Sequence, residues 1–399
     1  MKILSIETSC DETGISILQY HPETGVTVIE GNALSSQIEI HAKYGGVFPA
    51  LAKRAHAEKM VPLLTQALDE AYLLEVQDES LNIDSEVLAF LNDKETQLKE
   101  NLEPFLKFYQ KPDIDYIAVT VGPGLEPALW VGVNTARALA NVWGIPVIPI
   151  NHMEGHVVTA AFKSEDKKAF ILSDISFPLL SLLVSGGHTE MVLAESLGNY
   201  KKIGQTRDDA VGEAFDKVAR MLGLPYPGGP AVSKLAGEFR KNNPPAGGEN
   251  PFTMPRPMMH SGDYDFSFSG IKTAMLYAIK DLTNQNTREL NEDEKMALAC
   301  AFEDAAIEVL IYKTLKALEE HQAQTIIIGG GVAGNTYLRS ELTKAIQNKY
   351  PQTTLLFPET WLATDNAVMI GLAAVTQIMS DQIKTRNPDE LRADGNLSL

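Results

Sequence analysis

Only two cysteines, Cys10 and Cys300, occur in the 399 residues, so no disulfide framework is available and a reducing cytoplasm is the expected compartment. No apolar run reaches the roughly 18 residues that a spanning helix needs, and no membrane segment is expected. The first residues, Met1-Lys2-Ile3-Leu4-Ser5-Ile6-Glu7, lack the apolar core and cleavage site of a signal peptide and read as a strand. The Walker phosphate-loop sequence is absent, which excludes that nucleotide-binding class. Basic residues are also scarce: 34 Lys and Arg face 52 Asp and Glu, a formal charge of −18. That balance argues against a generic nucleic-acid binder, because phosphate contacts need concentrated cations. Two local clusters remain, Lys43, Lys53, Arg54 and Lys59, and Lys163, Lys167 and Lys168; a solvated face accounts for either one alone.

The chain does contain an ordinary soluble composition, 44% apolar and 22% charged, and length enough for two domains. Strands are expected at 2–8 and 14–19, a hairpin about the loop Thr8–Thr13, with a third at 26–34. A helix over Leu51–Leu74, a strand at 115–121 ending in Gly122-Pro123-Gly124, a helix at 127–143 and a strand at 146–150 follow. The pattern then restarts. Strands near 179–184, 189–194 and 200–205 form a second meander, and a helix at 208–222 could be capped by Thr206 or Asp208. Helices near 292–320, 335–348 and 364–380 alternate with strands at 324–328 and 353–357. Two α/β halves, 1–150 and 151–374, are expected, with a ligand cleft between them; a C-terminal helix over 375–399 would complete the first. Residues 75–110 carry nine acidic and three basic residues but also an apolar face, and read as an inserted helical hairpin. Residues 243–262, with five prolines, read as an irregular loop, and the last twenty residues as a frayed tail.

His152-Met153-Glu154-Gly155-His156 carries the chemistry most openly. On a helix its two histidines share a face and can grip one transition metal. Asp365, in Ala363-Thr364-Asp365-Asn366-Ala367, is the leading third ligand; the alternative is a plain helix cap. Glu154 lies about 200° round the helix from the first histidine, a poor place for a zinc-protease base, and is better suited to orienting a neighbour. Three glycine turns, Ser185-Gly186-Gly187-His188, Pro227-Gly228-Gly229-Pro230 and Gly329-Gly330-Gly331-Val332, suit a phosphorylated ligand approached by backbone N–H groups. Steric need alone can also explain each. Asp216 could take ribose hydroxyls or lie on a helix surface. Asp11 and Glu12, in the first hairpin turn, could be solvated, coordinate a cation or accept a proton.

Ten ordered blocks resemble the family of tRNA adenosine threonylcarbamoyltransferases named TsaD, once labelled O-sialoglycoprotein endopeptidase. They are Ile6–Thr13, Tyr44–Val47 with Arg54-Ala55-His56, Gly122–Leu125, His152–His156, Val184–Thr189, Asp208–Lys217, Pro227–Pro230, Asp265–Thr273, Gly329–Asn335 and Thr364–Ala367. The resemblance implies an actin/Hsp70/sugar-kinase-like fold. It implies that His152, His156 and Asp365 bind one divalent metal, Fe²⁺ in preference to Zn²⁺, and that Leu183, Val184, Ser185, Gly186, Gly187, Asp216, Gly229 and Asn335 line the substrate site. The implied reaction moves threonylcarbamoyl from threonylcarbamoyl-AMP to N6 of the tRNA adenosine 3′ of the anticodon; Asp11 or Glu12 is our own reading of the proton acceptor. The implied partners are tRNA, a TsaB-like paralogue and a TsaE-like ATPase. A metallopeptidase, or a chaperone or kinase of the same fold, are the alternatives. The chain departs from the family's frequent Gly-Gly-Val-Val-Pro-Glu at Gly45-Gly46-Val47-Phe48-Pro49-Ala50, and in the insertion.

Overall fold

The computed structural model describes residues 1–78, 81–164, 166–244, 250–283 and 288–399 of an α/β protein. Two compact units emerge, Met1–Asp174 with Thr364–Leu399, and Ile175–Ala363. Along the first run β1 (Lys2–Glu7), β2 (Glu12–His21), β3 (Val26–Ser36), α1 (Ile38–Ala42), α2 (Pro49–Glu70), α3 (Ser85–Lys94) and α4 (Thr96–Phe108). Then come β4 (Tyr116–Gly122), α5 (Glu126–Trp143), β5 (Val147–Asn151), α6 (His152–Ala161), β6 (Phe162–Ser164) and β7 (Ala169–Leu172). β1 is central: it pairs antiparallel with β2 and parallel with β4, and Ile3, Leu4 and Ile6 are fully buried. A strand covered on both faces is apolar throughout rather than alternating. α3 and α4 are the expected inserted hairpin. Their apolar positions Val87, Leu91, Leu98, Leu102, Phe105 and Leu106 join the core that α2 and α5 line.

The second unit holds β8 (Leu179–Val184), β9 (Thr189–Ser196), β10 (Asn199–Gln205), α7 (Val211–Met221), α8 (Gly228–Asn242), α9 (Ser269–Leu282), α10 (Glu292–His321), β11 (Thr325–Gly329), α11 (Thr336–Lys349) and β12 (Thr354–Leu356). α10 starts at a capping box: the Asn291 side chain accepts from Glu294 N–H, and the Glu294 carboxylate accepts from Asn291 N–H. The chain then returns to the first unit through α12 (Ala367–Met379), buried on every side from Ala367 to Thr376. The first sheet has the order β5-β4-β1-β2-β3-β7-β6 and the second β12-β11-β8-β9-β10. In each, an antiparallel three-strand meander is followed by two parallel strands on the far side of its first strand. This shared order is the duplication that an actin/Hsp70/sugar-kinase-like chain requires. Among the described residues no helix is long and apolar enough to cross a membrane.

Four expectations change. The first unit extends past residue 150, because β7 pairs with β3 and adds β6 to the first sheet, so His152 and His156 belong to the first unit, not to the second half. The tail is not frayed and its helix ends at Met379: Arg386 N–H donates to the Val147 carbonyl, Asp394 N–H to that of Val121, and Leu391 is buried. α7 has no side-chain cap; Thr206 Oγ1 donates to the Asp209 carbonyl, while Asp208 accepts from Phe268 N–H and Ser269 N–H at the start of α9. α8 and α9 were not foreseen, since each begins with residues typical of turns. The irregular loop holds from residue 250 onward; residues 245–249 of it lie outside the described residues.

Candidate active site

Asn151 starts the first cluster. Its side chain accepts from Met153 N–H at 2.9 Å and caps α6, so the helix begins at His152 and both histidines sit in its first two turns on one face. Gly155 lies between them. A Cβ there would come within 3.2 Å of Met369 Cγ, so the glycine allows α12 to pack closely on α6. At the head of α12, Asn366 provides the cap, accepting from Met369 N–H at 3.0 Å. The neighbouring Asp365 is therefore not the cap of α12.

Asp365 Oδ1 lies 3.1 Å from His156 Nε2 and 3.4 Å from His152 Nε2. Donor atoms from the three side chains all fall within 4.8 Å of one another. With metal–ligand bonds of about 2.0–2.1 Å, two ligands of a tetrahedral ion are about 3.3 Å apart. The spacing and the two-nitrogen, one-oxygen donor set both fit a divalent transition ion. The electrostatics agree. Burial alone would disfavour the His152 imidazolium, but Asp365 and then Glu7 outweigh it and push the ring up to about 10. Burial likewise disfavours the Asp365 carboxylate, yet the two histidines hold its carboxyl well below the usual range. A cluster that demands positive charge this strongly can exchange its protons for a cation.

Glu7 was missed. It ends β1, fully buried, and its Oε2 lies 3.2 Å from His152 Nδ1. It accepts from Ser9 N–H through Oε1 and from the Thr120 hydroxyl through Oε2. A carboxylate on Nδ1 fixes the ring so that Nε2 presents its lone pair to a metal. Sequence reasoning named Glu154 for an orienting role; the carboxylate on His152 Nδ1 is Glu7. A lone carboxylate closing an otherwise apolar strand was the available signal.

Asp11 and Glu12 sit half-buried at the start of β2, in the same unit. Burial raises both carboxyls and the Asp365 charge adds to it; Glu12, further opposed by Asp11, is pushed up to about 10. Their turn is clamped by His56 of α2, also missed. The ring Nε2 donates to the Cys10 carbonyl at 3.0 Å, and Nδ1 accepts from the Thr13 hydroxyl at 2.8 Å. Burial, outweighing the Cys10 hydrogen bond, pushes this imidazole down to about 4, so it stays neutral.

The second unit gathers the glycine turns. Ser185 N–H donates to the His188 carbonyl, and Ser185 Oγ accepts from His188 N–H. That closes a turn whose tip, Gly186 and Gly187, is exposed; a Cβ on either would meet nothing within 4 Å. Leu183 and Val184 have buried side chains and can contribute only through backbone. Gly330, at φ +86°, packs its α-carbon against the end of β8; a Cβ would stand 2.4 Å from the Val184 carbonyl oxygen. Asp216 accepts from Gly228 N–H at 2.7 Å and fixes the start of α8, where Gly229 is open. Asn335 caps α11 through Leu338 N–H, and its amide donates to Ser233 at 2.9 Å and to Glu303 at 2.8 Å. Glu303 is fully buried and paired with Arg240 at 2.6 Å, a support that the sequence did not reveal. The two basic clusters are exposed apart from Lys53, which turns to Glu95 of the insertion at 3.1 Å.

A family model described as TsaD, tRNA N6-adenosine threonylcarbamoyltransferase, matches residues 28–78 and 105–372. The chain belongs to this family. The unmatched stretch between those segments falls on α3 and most of α4. The tRNA N6-adenosine threonylcarbamoyltransferase of Ralstonia pickettii is 38% identical over 97% of this chain and 94% of its own length. That of Nitrosospira multiformis is 40% identical over 96% and 92%. Among solved structures, HypF of T. kodakarensis aligns at 13% identity over 72% of this chain and 43% of its own, TM-score 0.47. A ROK family protein of Streptococcus pneumoniae aligns at 11% identity over 96% and 99%, TM-score 0.45.

Proposed function

We propose that this TsaD-family transferase moves the threonylcarbamoyl group of threonylcarbamoyl-AMP to N6 of the tRNA adenosine 3′ of the anticodon. The observation that carries this reading is the convergence of His152, His156 and Asp365 in a chain of that family. The three would hold one divalent ion, Fe²⁺ favoured and Zn²⁺ admitted by the donor set, which would supply positive charge to substrate oxygens. Glu7 keeps His152 in the ligating orientation. The N–H groups of Gly186 and Gly187 and the start of α8 at Gly229 are suited to the adenylate phosphate. Asp216 and Asn335 hold those backbone segments in place. The adenosine N6 lone pair attacks the carbamoyl carbon, the bond from that carbon to the phosphate oxygen breaks, and AMP departs. Asp11 or Glu12 takes the proton lost by N6; Glu12, pushed up to about 10, can do so only once it has given up its own proton.

For the peptidase alternative, Glu7 is not a free base. Both oxygens of the carboxylate against His152 already accept hydrogen bonds, from Ser9 and from Thr120. We also assign a cytoplasmic location, a TsaB-like paralogue and a TsaE-like ATPase as partners, and weak tRNA binding by this subunit alone, in keeping with a charge of −18. Transfer of labelled threonine from synthetic threonylcarbamoyl-AMP to unmodified tRNA tests the reading. Transfer abolished by a chelator and restored by Fe²⁺ or Zn²⁺ is expected; casein cleavage without transfer would overturn it.

A further inference from the structure

Four large apolar side chains stand in solvent within one short stretch, Leu34, Ile40, Tyr44 and Phe48. Tyr44 is 60% exposed and Phe48 56%, and their rings pack at 5.8 Å between centroids with a tilt of 44°. Exposed apolar patches that are rimmed by polar residues mark interaction sites. Two cations stand beside this one, exposed Lys43 and Arg54, the latter paired with Glu58 at 2.9 Å; no acidic residue lies in the first turn of α2, while Glu39 of α1 is exposed.

The stretch is tied to the acid turn. Gln37 N–H donates to the Asp11 carbonyl at 2.9 Å, and Ser36 Oγ to Glu12 Oε1 at 3.4 Å. The Gln37 side chain meets His41 Nε2 at 3.1 Å, and His41 Nδ1 accepts from Phe48 N–H at 3.3 Å. His56, two residues past Arg54 on α2, holds the Cys10 carbonyl. The aromatic pair is therefore fixed in register with Asp11 and Glu12.

We propose that Tyr44 and Phe48 form a stacking platform for an unpaired base flanking the target adenosine in the tRNA anticodon loop, with Lys43 and Arg54 meeting the adjoining phosphates. This rests on the proposed transfer to tRNA. Single-stranded bases are held by aromatic faces beside cations, and each stacked base contributes enough to change affinity by roughly 5- to 100-fold. A purely apolar surface for a second protein would not need to be anchored to the proton-accepting turn.

The test uses the full-length chain with whatever partners transfer requires, and an unmodified anticodon stem–loop RNA carrying 2-aminopurine beside the target adenosine. Wild-type protein quenches the 2-aminopurine, as stacking does. In Tyr44→Ala/Phe48→Ala the quenching is lost and KM for tRNA rises about 10-fold or more, while KM for the adenylate and the melting temperature hold. Tyr44→Leu/Phe48→Leu, which keeps apolar bulk without a ring, shows the same loss, and Tyr44→Phe/Phe48→Tyr restores both readouts. An unchanged KM for tRNA, or leucine behaving as wild type, overturns the platform; the leucine result would instead mark a protein-docking face. Wild-type protein that transfers no threonine to any tRNA defeats the proposed reaction and the platform together, whereas unaltered transfer by the alanine pair defeats the platform alone.

Discussion

The histidine corner of the first unit and the glycine turns of the second are built by opposite means. The first is made of side chains: two imidazoles and a carboxylate, with Glu7 behind them, packed where α6 meets α12. The second is made of backbone, with Gly186, Gly187 and Gly229 leaving room and Gly330 drawing two turns together. A side-chain site fails when its chemistry is changed at constant shape. A backbone site fails when its shape is changed, whatever the chemistry.

Isosteric substitutions in the first corner should therefore have the largest effect. Asp365→Asn keeps the volume and removes the charge between the histidines. Transfer should fall about a thousand-fold, with bound metal lost and the fold retained by circular dichroism. Glu7→Gln should reduce metal affinity or rate by about 10- to 100-fold, measured by metal titration. An unaltered affinity would show that His152 is oriented by packing rather than by this carboxylate. In the glycine corner, Gly187→Ala meets no neighbour, so its melting temperature should hold while KM for the adenylate rises about ten-fold, as expected if a phosphate occupies that space. Gly330→Ala should behave in reverse, with a stability loss of about 1–3 kcal/mol from strain at positive φ. Equal effects of the two would erase the contrast between ligand approach and packing.

A further effect concerns pH. The His56 imidazole is pushed down to about 4 from an ordinary 6.5. The unfolded chain gains a proton there before the folded one does. Stability present above about pH 6.5 is thus lost as pH falls towards about 4, by up to about 3 kcal/mol. Denaturant midpoints of wild type and His56→Gln, measured between those values, should converge as pH falls; parallel curves would show that the ring is not held neutral.

These contrasts explain what the sequence disclosed. The spacing of His152 and His156 declares a shared helical face, and Asp365 was legible as a ligand or a helix cap, a choice the sequence left open. Glu7 was not, since a carboxylate before a turn is ordinary until its burial is seen. His56, set among alanines on α2, looks like a core residue, and only its two bonds across the acid turn reveal its position. The alternating elements followed from periodicity. The start of α8 at Gly228-Gly229-Pro230 hid a helix behind turn chemistry, and the three-residue β6 is too short for any period. The C-terminal tail is polar, so its composition could not announce the backbone hydrogen bonds that tie it to Val121 and Val147.

The central claim is best tested by metal content measured together with transfer. Full-length protein loaded anaerobically with Fe²⁺ or Zn²⁺, and its Asp365→Asn counterpart, would be desalted and analysed by elemental mass spectrometry before the labelled-threonine assay. The account predicts one tightly held ion per wild-type chain, none in the variant, and transfer that follows the ion. A variant that keeps the ion, or a metal-free wild type that transfers at full rate, would contradict it.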